Sequence, residues 1–232
     1  MKYFDNELSE QHKELSEIIR KKDSIENAKK LFLDIHAKLH MSSVSHRECN
    51  QVDDLLKDLD AEEYAIMPTS KDETIAWAVW HISRLEDLTI NILVNNGNQI
   101  FDSDWKKNLN VSITDTGNAL TDDEIMCLSK EINIVQLLEY RNEVGKQTRK
   151  IVAELTDEEM KRKVSEEGIQ KILSEGGVTK QEESIWLLDF WKKKDVAGIL
   201  LMPPTRDAMM HLNDCCKWKI AIRNKKKFYR TR

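Results

Sequence analysis

The segment from residue 74 to residue 93 constrains the fold of this chain more than any other stretch. Its apolar residues recur every three or four positions, the period of one buried face of an α-helix. They are Ile75, Ala78, Leu85, Leu88 and Ile92. His81 lies inside this stripe, where a titratable ring needs a partner. The pattern therefore predicts a buried helix and marks His81 as a candidate functional residue.

Similar periodicity predicts three more long helices, over residues 24–44, 134–155 and about 205–224. The 232 residues contain 7 Gly and 3 Pro, which disfavours an all-β fold with its many turns. Long connections join the predicted helices. We therefore expect an all-α protein, a four-helix bundle with long crossover connections and extra short helices, formed by a single domain over residues 1–232.

Capping boxes indicate where several helices begin. Ser70 with Glu73 predicts the start of the His81 helix, and Thr121 with Glu124 and Thr156 with Glu159 predict two later starts. Shorter helices are expected near residues 52–59 and 182–193, and prolines 203 and 204 are expected to open the last helix. Residues 95–120, rich in Asn, Asp, Gly and Ser, are expected to form an irregular insertion across the bundle end.

Charge and cysteine content narrow the setting of the protein. The net charge is −5, so no overall field favours nucleic acid, but a basic tail covers residues 223–232. We expect this tail to be a solvated helix end and nucleic-acid binding through it to be a weaker alternative. The four cysteines have no disulfide-type spacing, the N-terminal residues show no signal-peptide core, and no apolar run is long enough for a membrane span. We expect a cytoplasmic protein and no membrane partner.

His36 and His40 form the one H-x-x-x-H sequence of the chain. This spacing places both imidazoles on one side of a helix, about one turn apart. The pair flanks the apolar stripe of that helix. A structural role, metal ligation and substrate contact all fit this position.

His211, near the other end of the chain, is a second histidine in an apolar stripe. Asp207 precedes it by four residues, so a carboxylate and an imidazole share one helix face. If His81 and His211 meet across the bundle core, these three residues form a two-histidine, one-carboxylate metal set with open coordination positions. Such a set suits Ni, Zn, Fe or Mn in the divalent state. Asp207 equally fits a capping role at the start of the helix.

Two further residues are candidates for substrate contact. Arg141 falls on the apolar side of its helix, where a guanidinium needs an anionic partner. That partner is either a substrate carboxylate or, as we favour, Glu86 or Asp87 in an internal ion pair. Trp77 flanks His81 one turn earlier. No P-loop, dinucleotide-binding, G-x-S-x-G or H-E-x-x-H sequence occurs.

Four segments together resemble the DinB-like (YfiT-like) superfamily of metal-dependent bundle proteins. They are TIAWAVWHISRLED, DTGNALTDDE, YRNEVGKQTRKIV and LLMPPTRDAMMHLND. The resemblance implies an up-down-down-up four-helix bundle and a divalent metal held by one histidine of the second long helix and an H-x-x-x-H pair of the last. His81 and His211 match two of these ligands, and Asp207 stands where the family pattern has the third.

The resemblance also implies a class of chemistry, because some members act on low-molecular-weight thiols. The first hypothesis is thus a metal-dependent thiol S-transferase or hydrolase acting on a small-molecule substrate, with a homodimer as the expected assembly. The second is a metal-free ligand-binding or assembly bundle, which the aspartate at position 207 favours.

Overall fold

The part of the chain that the structure describes is mainly helical. The computed structural model describes Phe4 and residues 6–230, with side chains up to residue 225. Within these residues, β-type pairing is limited to one isolated bridge between Lys163 and Asp195. The expected all-α class is confirmed. None of the described helices combines the length and apolarity that crossing a membrane requires.

Fourteen α-helical segments and two π-helical segments follow one another in the described residues. The α-helices are α1 Asn6–Ile18, α2 Ile25–Leu39, α3 Ser42–Ser45, α4 Gln51–Leu56, α5 Ala61–Tyr64, α6 Ile75–Glu86, α7 Ser103–Leu109, α8 Asp122–Glu131, α9 Ile134–Glu154, α10 Asp157–Lys161, α11 Glu166–Ser174, α12 Glu182–Lys192, α13 Val196–Leu200 and α14 Ala208–Arg230. The π-helical segments are Asp87–Val94, which continues α6, and Met202–Asp207, which leads into α14.

The four long helices are α2, α6, α9 and α14, in the four regions that the apolar periodicity indicates. Helix α9 packs against α6, α6 against α14, α14 against α2, and α2 against α9, so the four enclose one core. Every residue of α6 is buried. A helix covered on all sides must find a partner for each polar side chain it carries. That requirement applies to His81, Arg84 and Glu86.

Several predicted helix boundaries hold and others are wrong. Thr121 and Thr156 each form the expected capping box, with Glu124 and Glu159 respectively. The box predicted at Ser70 is wrong, because α6 begins later. Its N-cap is Thr74, whose hydroxyl oxygen accepts the Trp77 backbone N–H at 3.0 Å.

The first long helix is shorter than the periodicity predicts, and a helix before it was not predicted. Helix α2 ends at Leu39, because His40 adopts an extended conformation (φ −122°, ψ 161°), and α3 follows as a separate turn. Helix α1 buries only Leu8 and Leu15 along its length, too few apolar positions for the pattern to stand out.

The insertion at residues 95–120 contains helix α7 and is bound to the core by a buried polar network. The Asp87 carboxylate accepts the backbone N–H groups of Ile100 and Phe101 at 2.8 and 3.0 Å. It also pairs with Arg84 at 3.1 Å and accepts the Tyr140 hydroxyl at 2.6 Å. The insertion is therefore anchored to α6 and α9 by charge-assisted hydrogen bonds rather than by apolar packing alone.

The basic end of the chain is paired where its side chains are described. Lys217 pairs with Asp214, while Lys219 and Arg223 both pair with Asp58 at 2.6 and 2.8 Å. The two ion pairs with Asp58 tie α14 to the segment after α4, so Arg223, at the start of the tail that was expected to be a solvated helix end, is ion-paired. The side chains of residues 226–232, which complete the predicted basic tail, lie outside the described residues.

Replacement of Tyr140 by phenylalanine tests the anchoring network. The Tyr140 hydroxyl donates to Asp87 and accepts from Arg84 at 2.8 Å, both in a fully buried setting. We expect Tyr140→Phe to lower the free energy of unfolding by about 1–3 kcal/mol, because two buried charged groups each lose a partner. Urea denaturation measures this loss of stability. The control is Tyr64→Phe, which removes one neutral hydrogen bond, from the Tyr64 hydroxyl to the Leu56 carbonyl. A Tyr140→Phe loss no larger than that of Tyr64→Phe would contradict the network's role.

Candidate metal centres

His81 and His211 meet in the core between α6 and α14. Their ring centroids lie 4.8 Å apart, with the rings inclined at 69°. Trp77 stacks on His81 at 4.7 Å and contacts His211 edge-on at 5.8 Å. Two imidazoles that are 130 positions apart in the sequence therefore share one local environment. We call His81, His211, Asp207 and Trp77 the His81 centre.

The hydrogen bond of His81 fixes which ring nitrogen is free. Nδ1 lies 2.8 Å from the Thr116 carbonyl oxygen, which can only accept, so Nδ1 carries the proton and donates. In the neutral ring Nε2 then bears the lone pair. Burial, together with the charge of His211, lowers the pKa of His81 to about 3, although the hydrogen bond to the Thr116 carbonyl opposes this shift. His81 is thus a neutral imidazole at physiological pH, the form that binds metals.

Asp207 and His211 occupy the entry to α14, and both are partly buried. Burial raises the pKa of Asp207, opposed by the charge of Arg206, and burial lowers the pKa of His211. Neither side chain has a hydrogen-bond partner among the described residues. The Asp207 carboxylate and the two imidazoles do not all lie within 4.8 Å of one another. The arrangement brings together two imidazole rings, with a carboxylate four residues before His211 that has no hydrogen-bond partner in the described part of the chain.

Helix α6 also holds a short stretch of the insertion along one face. The backbone carbonyls of residues 114–117, which we call the carbonyl strap, accept hydrogen bonds from four α6 side chains spaced i, i+3, i+4 and i+7. The donors are Trp77, Trp80, His81 and Arg84. The His81–Thr116 hydrogen bond is therefore one of a ladder, and the sequence interpretation missed all four of these partners.

A second polar cluster lies deeper in the bundle. His36 and His40 each approach the Glu86 carboxylate through Nε2 at 2.9 Å, and the Thr148 hydroxyl donates to it at 2.6 Å. The two imidazoles stack at 4.1 Å, and all three members of this His36–His40–Glu86 triad are fully buried. In the described part of the chain, the triad is the one group of three His, Cys, Asp or Glu residues whose ligand atoms all lie within 4.8 Å of one another. Such a donor set could hold a divalent metal ion.

Electrostatics in the triad favour an ionised Glu86. Burial on its own would raise the pKa of Glu86, but His40 and His36, by charge and by hydrogen bonding, hold it well below its usual range. Burial lowers the pKa of His40 to about 3 against the opposing charge of Glu86. Arg141 supplies a nearby positive charge, since burial lowers its pKa only to about 10 and Glu86 opposes that shift.

Arg141 does not form the internal ion pair that the sequence analysis favours. It donates to the Leu39 carbonyl at 2.8 Å and makes no direct ion pair with Glu86 or Asp87, the two partners predicted for it. Arg84 takes that place beside Asp87, because it lies one helical turn away on the same helix. Arg141 is fully buried, and its Nε and Nη1 have no hydrogen-bond partner among the described residues.

The close approach of α2 to α9 depends on a glycine. A Cβ atom at Gly145 would lie 2.6 Å from Nδ1 of His40, so a larger residue would displace the ring.

The apolar pattern of α6 could have indicated that Glu86 is buried, because Glu86 continues the buried series Ile75, Val79 and Ile82 with helical spacing. The long-range partner Thr148 has no such signal in the sequence.

The cysteines next to the centres are not activated nucleophiles. Burial raises the pKa of Cys215 well above its usual range, and burial raises the pKa of Cys216 to about 11. Both thiols are therefore protonated at physiological pH. A nucleophile at the His81 centre would have to come from water or from a substrate.

The comparison with known families identifies one match. The model of the DinB superfamily matches residues 46–178, more than half of the chain. The matched region contains His81, Glu86, Arg141 and the carbonyl strap, while His36, His40, Asp207 and His211 lie outside it. No curated protein matches the chain.

Neutralising Glu86 tests the triad as a buried ionic network. We expect Glu86→Gln to lower the free energy of unfolding by about 3–5 kcal/mol, because it leaves Arg141 as an uncompensated buried charge and places an amide among hydrogen-bond donors. Chemical denaturation measures the loss. The control is Glu143→Gln at an exposed ion pair with Lys146, expected to change stability by less than about 1 kcal/mol. Equal effects of the two substitutions would contradict the network.

The buried histidines also predict how stability depends on pH. His40 and His81 have folded-state pKa values of about 3, below the unfolded value of about 6.5. Their contribution is therefore present above about pH 6.5 and is lost as the pH falls towards 3. With metal chelated, we expect each to add up to about 1.4 kcal/mol per pH unit to the slope between these limits. His81→Gln should reduce the slope of stability against pH by the contribution of His81, whereas His46→Gln, at an exposed position, serves as the control. An unchanged slope in His81→Gln would show that the His81 ring is protonated in the folded protein.

Proposed function

Because the chain belongs to the DinB superfamily, we propose that it is a metal-dependent enzyme whose divalent ion is held by His81 and His211, with Asp207 as the carboxylate ligand. The observation that carries the proposal is the pairing of His81 Nδ1 with the Thr116 carbonyl, which leaves Nε2 free next to His211. Metal-bound histidines donate their other ring N–H to such a partner in the same way. Zn, Ni, Fe and Mn all suit this set of ligands.

The His81 centre accepts a cation more readily than the triad does. At the triad both Nδ1 atoms are buried without a partner, so a metal on Nε2 would leave two unpaired N–H groups. Arg141 already balances the charge of Glu86, and a divalent ion would add two positive charges in a fully buried setting. At the His81 centre, by contrast, Asp207 has no hydrogen-bond partner among the described residues, and its carboxylate offers the negative charge that a cation requires.

The coordination positions that the protein leaves open on the metal determine which reaction the site could support. Three protein ligands leave room for water or a substrate atom, as catalytic sites require. A bound metal would lower the pKa of a water molecule or a small thiol and supply a nucleophile near neutral pH. The protein's own part is to keep His81 neutral and oriented, while Trp77 packs against both rings and limits their rotation. We propose a transferase or hydrolase acting on a small molecule, with a low-molecular-weight thiol as the first substrate class to test.

A metal-free ligand-binding bundle is the second candidate. The observation that favours it is the separation of Asp207 from a compact three-ligand group. Thermal unfolding with and without Zn, Ni or Mn distinguishes the two functions, because an ion that binds only the folded state raises its stability. The gain is about 2.7 kcal/mol at a free concentration one hundred times Kd.

Metal titration of matched variants tests the proposed site. We expect the wild-type protein to bind one equivalent of metal in calorimetry and elemental analysis. His81→Gln and His211→Gln should each weaken binding by at least the factor of about 10–100 that loss of an outer-shell partner causes. The control is His12→Gln on α1, because the hydrogen bond that the His12 ring makes is to the Leu201 carbonyl, outside the His81 centre. Wild-type protein that binds none of these ions would refute the proposal, as would binding that survives His81→Gln but is lost in Glu86→Gln.

A further inference from the structure

The carbonyl strap has the features of an element built to orient His81. Trp77 Nε1 donates to the Gly117 carbonyl and Trp80 Nε1 to the Asp115 carbonyl, each at 3.0 Å. These two bonds flank the His81–Thr116 hydrogen bond on both sides. The hydrogen bonds of the neighbouring carbonyls therefore hold the Thr116 carbonyl in position independently of its own bond to His81.

The strap is also held from its outer side. The Thr116 N–H donates to the Gly177 carbonyl at 3.2 Å, and the Thr114 hydroxyl donates to the Gly176 carbonyl at 2.9 Å. The stretch is consequently clamped between α6 and the end of α11.

Two residues set the backbone turn that aims the Thr116 carbonyl. Gly117 has φ +78°, a conformation that other residues rarely adopt, and a Cβ atom there would lie 2.9 Å from Trp77 Nε1. The Asp115 carboxylate accepts the Gly117 N–H at 2.7 Å and closes the turn. Either feature, if removed, would shift Thr116 relative to His81.

We infer that the carbonyl strap is the positioning element of the metal centre, with Thr116 acting through its carbonyl and with Asp115 and Gly117 as the residues that hold it. The inference rests on the proposed function. The carbonyl restricts His81 to one tautomer and one ring orientation, so Nε2 keeps its lone pair available beside the His211 ring. A cation on Nε2 withdraws electrons from the ring, which strengthens the Nδ1–H hydrogen bond to Thr116. Metal affinity should therefore depend on residues that touch no metal.

The test compares strap variants by their affinity for Zn(II) and by the visible spectrum of bound Co(II), which reports ligand geometry. Gly117→Ala and Asp115→Ala should each lower metal affinity by about 10- to 100-fold and alter the Co(II) spectrum. Asp115→Asn retains an oxygen that can accept the Gly117 N–H and should restore affinity to within about threefold of wild type.

Asn110→Ala is the matched structural control. It strains another positive-φ position of the same insertion (φ +55°) and removes a hydrogen bond to the Glu131 carbonyl, away from the strap. Thermal melts of the metal-free variants show whether each one folds. If Gly117→Ala does not fold, the pair Asp115→Ala and Asp115→Asn decides the question.

The outcomes separate the positioning role from the metal site itself. Weakened binding in the strap variants alone, with rescue by Asp115→Asn, supports the inference. Strap variants that bind metal as tightly as Asn110→Ala would overturn the inference and leave the metal site intact. Wild-type protein without metal affinity would overturn both, and no strap variant is needed to reach that result.

Discussion

Complete burial of α6 is the constraint on which the rest of this structure depends. A helix with no solvent-facing side cannot carry His81, Arg84 and Glu86 unless each finds a partner inside the protein. The partners come from three different places: the carbonyl strap for His81, the strap and the Asp87–Tyr140 network for Arg84, and α2 and α9 for Glu86. The arrangement of helices and insertion around α6 thus satisfies the polar groups that α6 presents.

The two histidine pairs illustrate how the same side chain serves different purposes in different surroundings. His36 and His40 both turn Nε2 to one carboxylate, and their Nδ1 atoms have no hydrogen-bond partner among the described residues. His81 turns Nδ1 to a backbone carbonyl and keeps Nε2 free. Burial alone does not distinguish these rings, since each uses one nitrogen and leaves the other without a partner in the part of the chain that the structure describes. The group that the bonded nitrogen meets does distinguish them: it is the Glu86 carboxylate for His36 and His40, and the neutral Thr116 carbonyl for His81.

Periodicity was sufficient for the long helices and for the meeting of His81 with His211, because both depend on which face of a helix is apolar. It was insufficient wherever a backbone atom or a distant residue was the partner. The sequence does not indicate which group accepts the hydrogen bond of His81, because the acceptor is the backbone carbonyl of Thr116 and every residue has such a carbonyl. Arg141 was predicted to pair with Glu86 or Asp87 from its helix face. Its reach to the Leu39 carbonyl depends on how α2 ends, which local pattern does not define.

The carbonyl strap couples the insertion to the His81 centre through a physical contact. Suppose that the hydrogen bond to the Thr116 carbonyl makes His81 a better metal ligand. By thermodynamic linkage, metal binding must then stabilise the folded position of the strap by the same free energy by which the strap strengthens metal binding. The strap is the segment of the insertion that contacts α6 at His81, and the other anchor of the insertion is Asp87, further along the same helical path. If the His81 centre binds a metal ion as proposed, order in the insertion and occupancy of that centre are linked in one equilibrium. An ion at this centre would tighten the cover of the site that binds it.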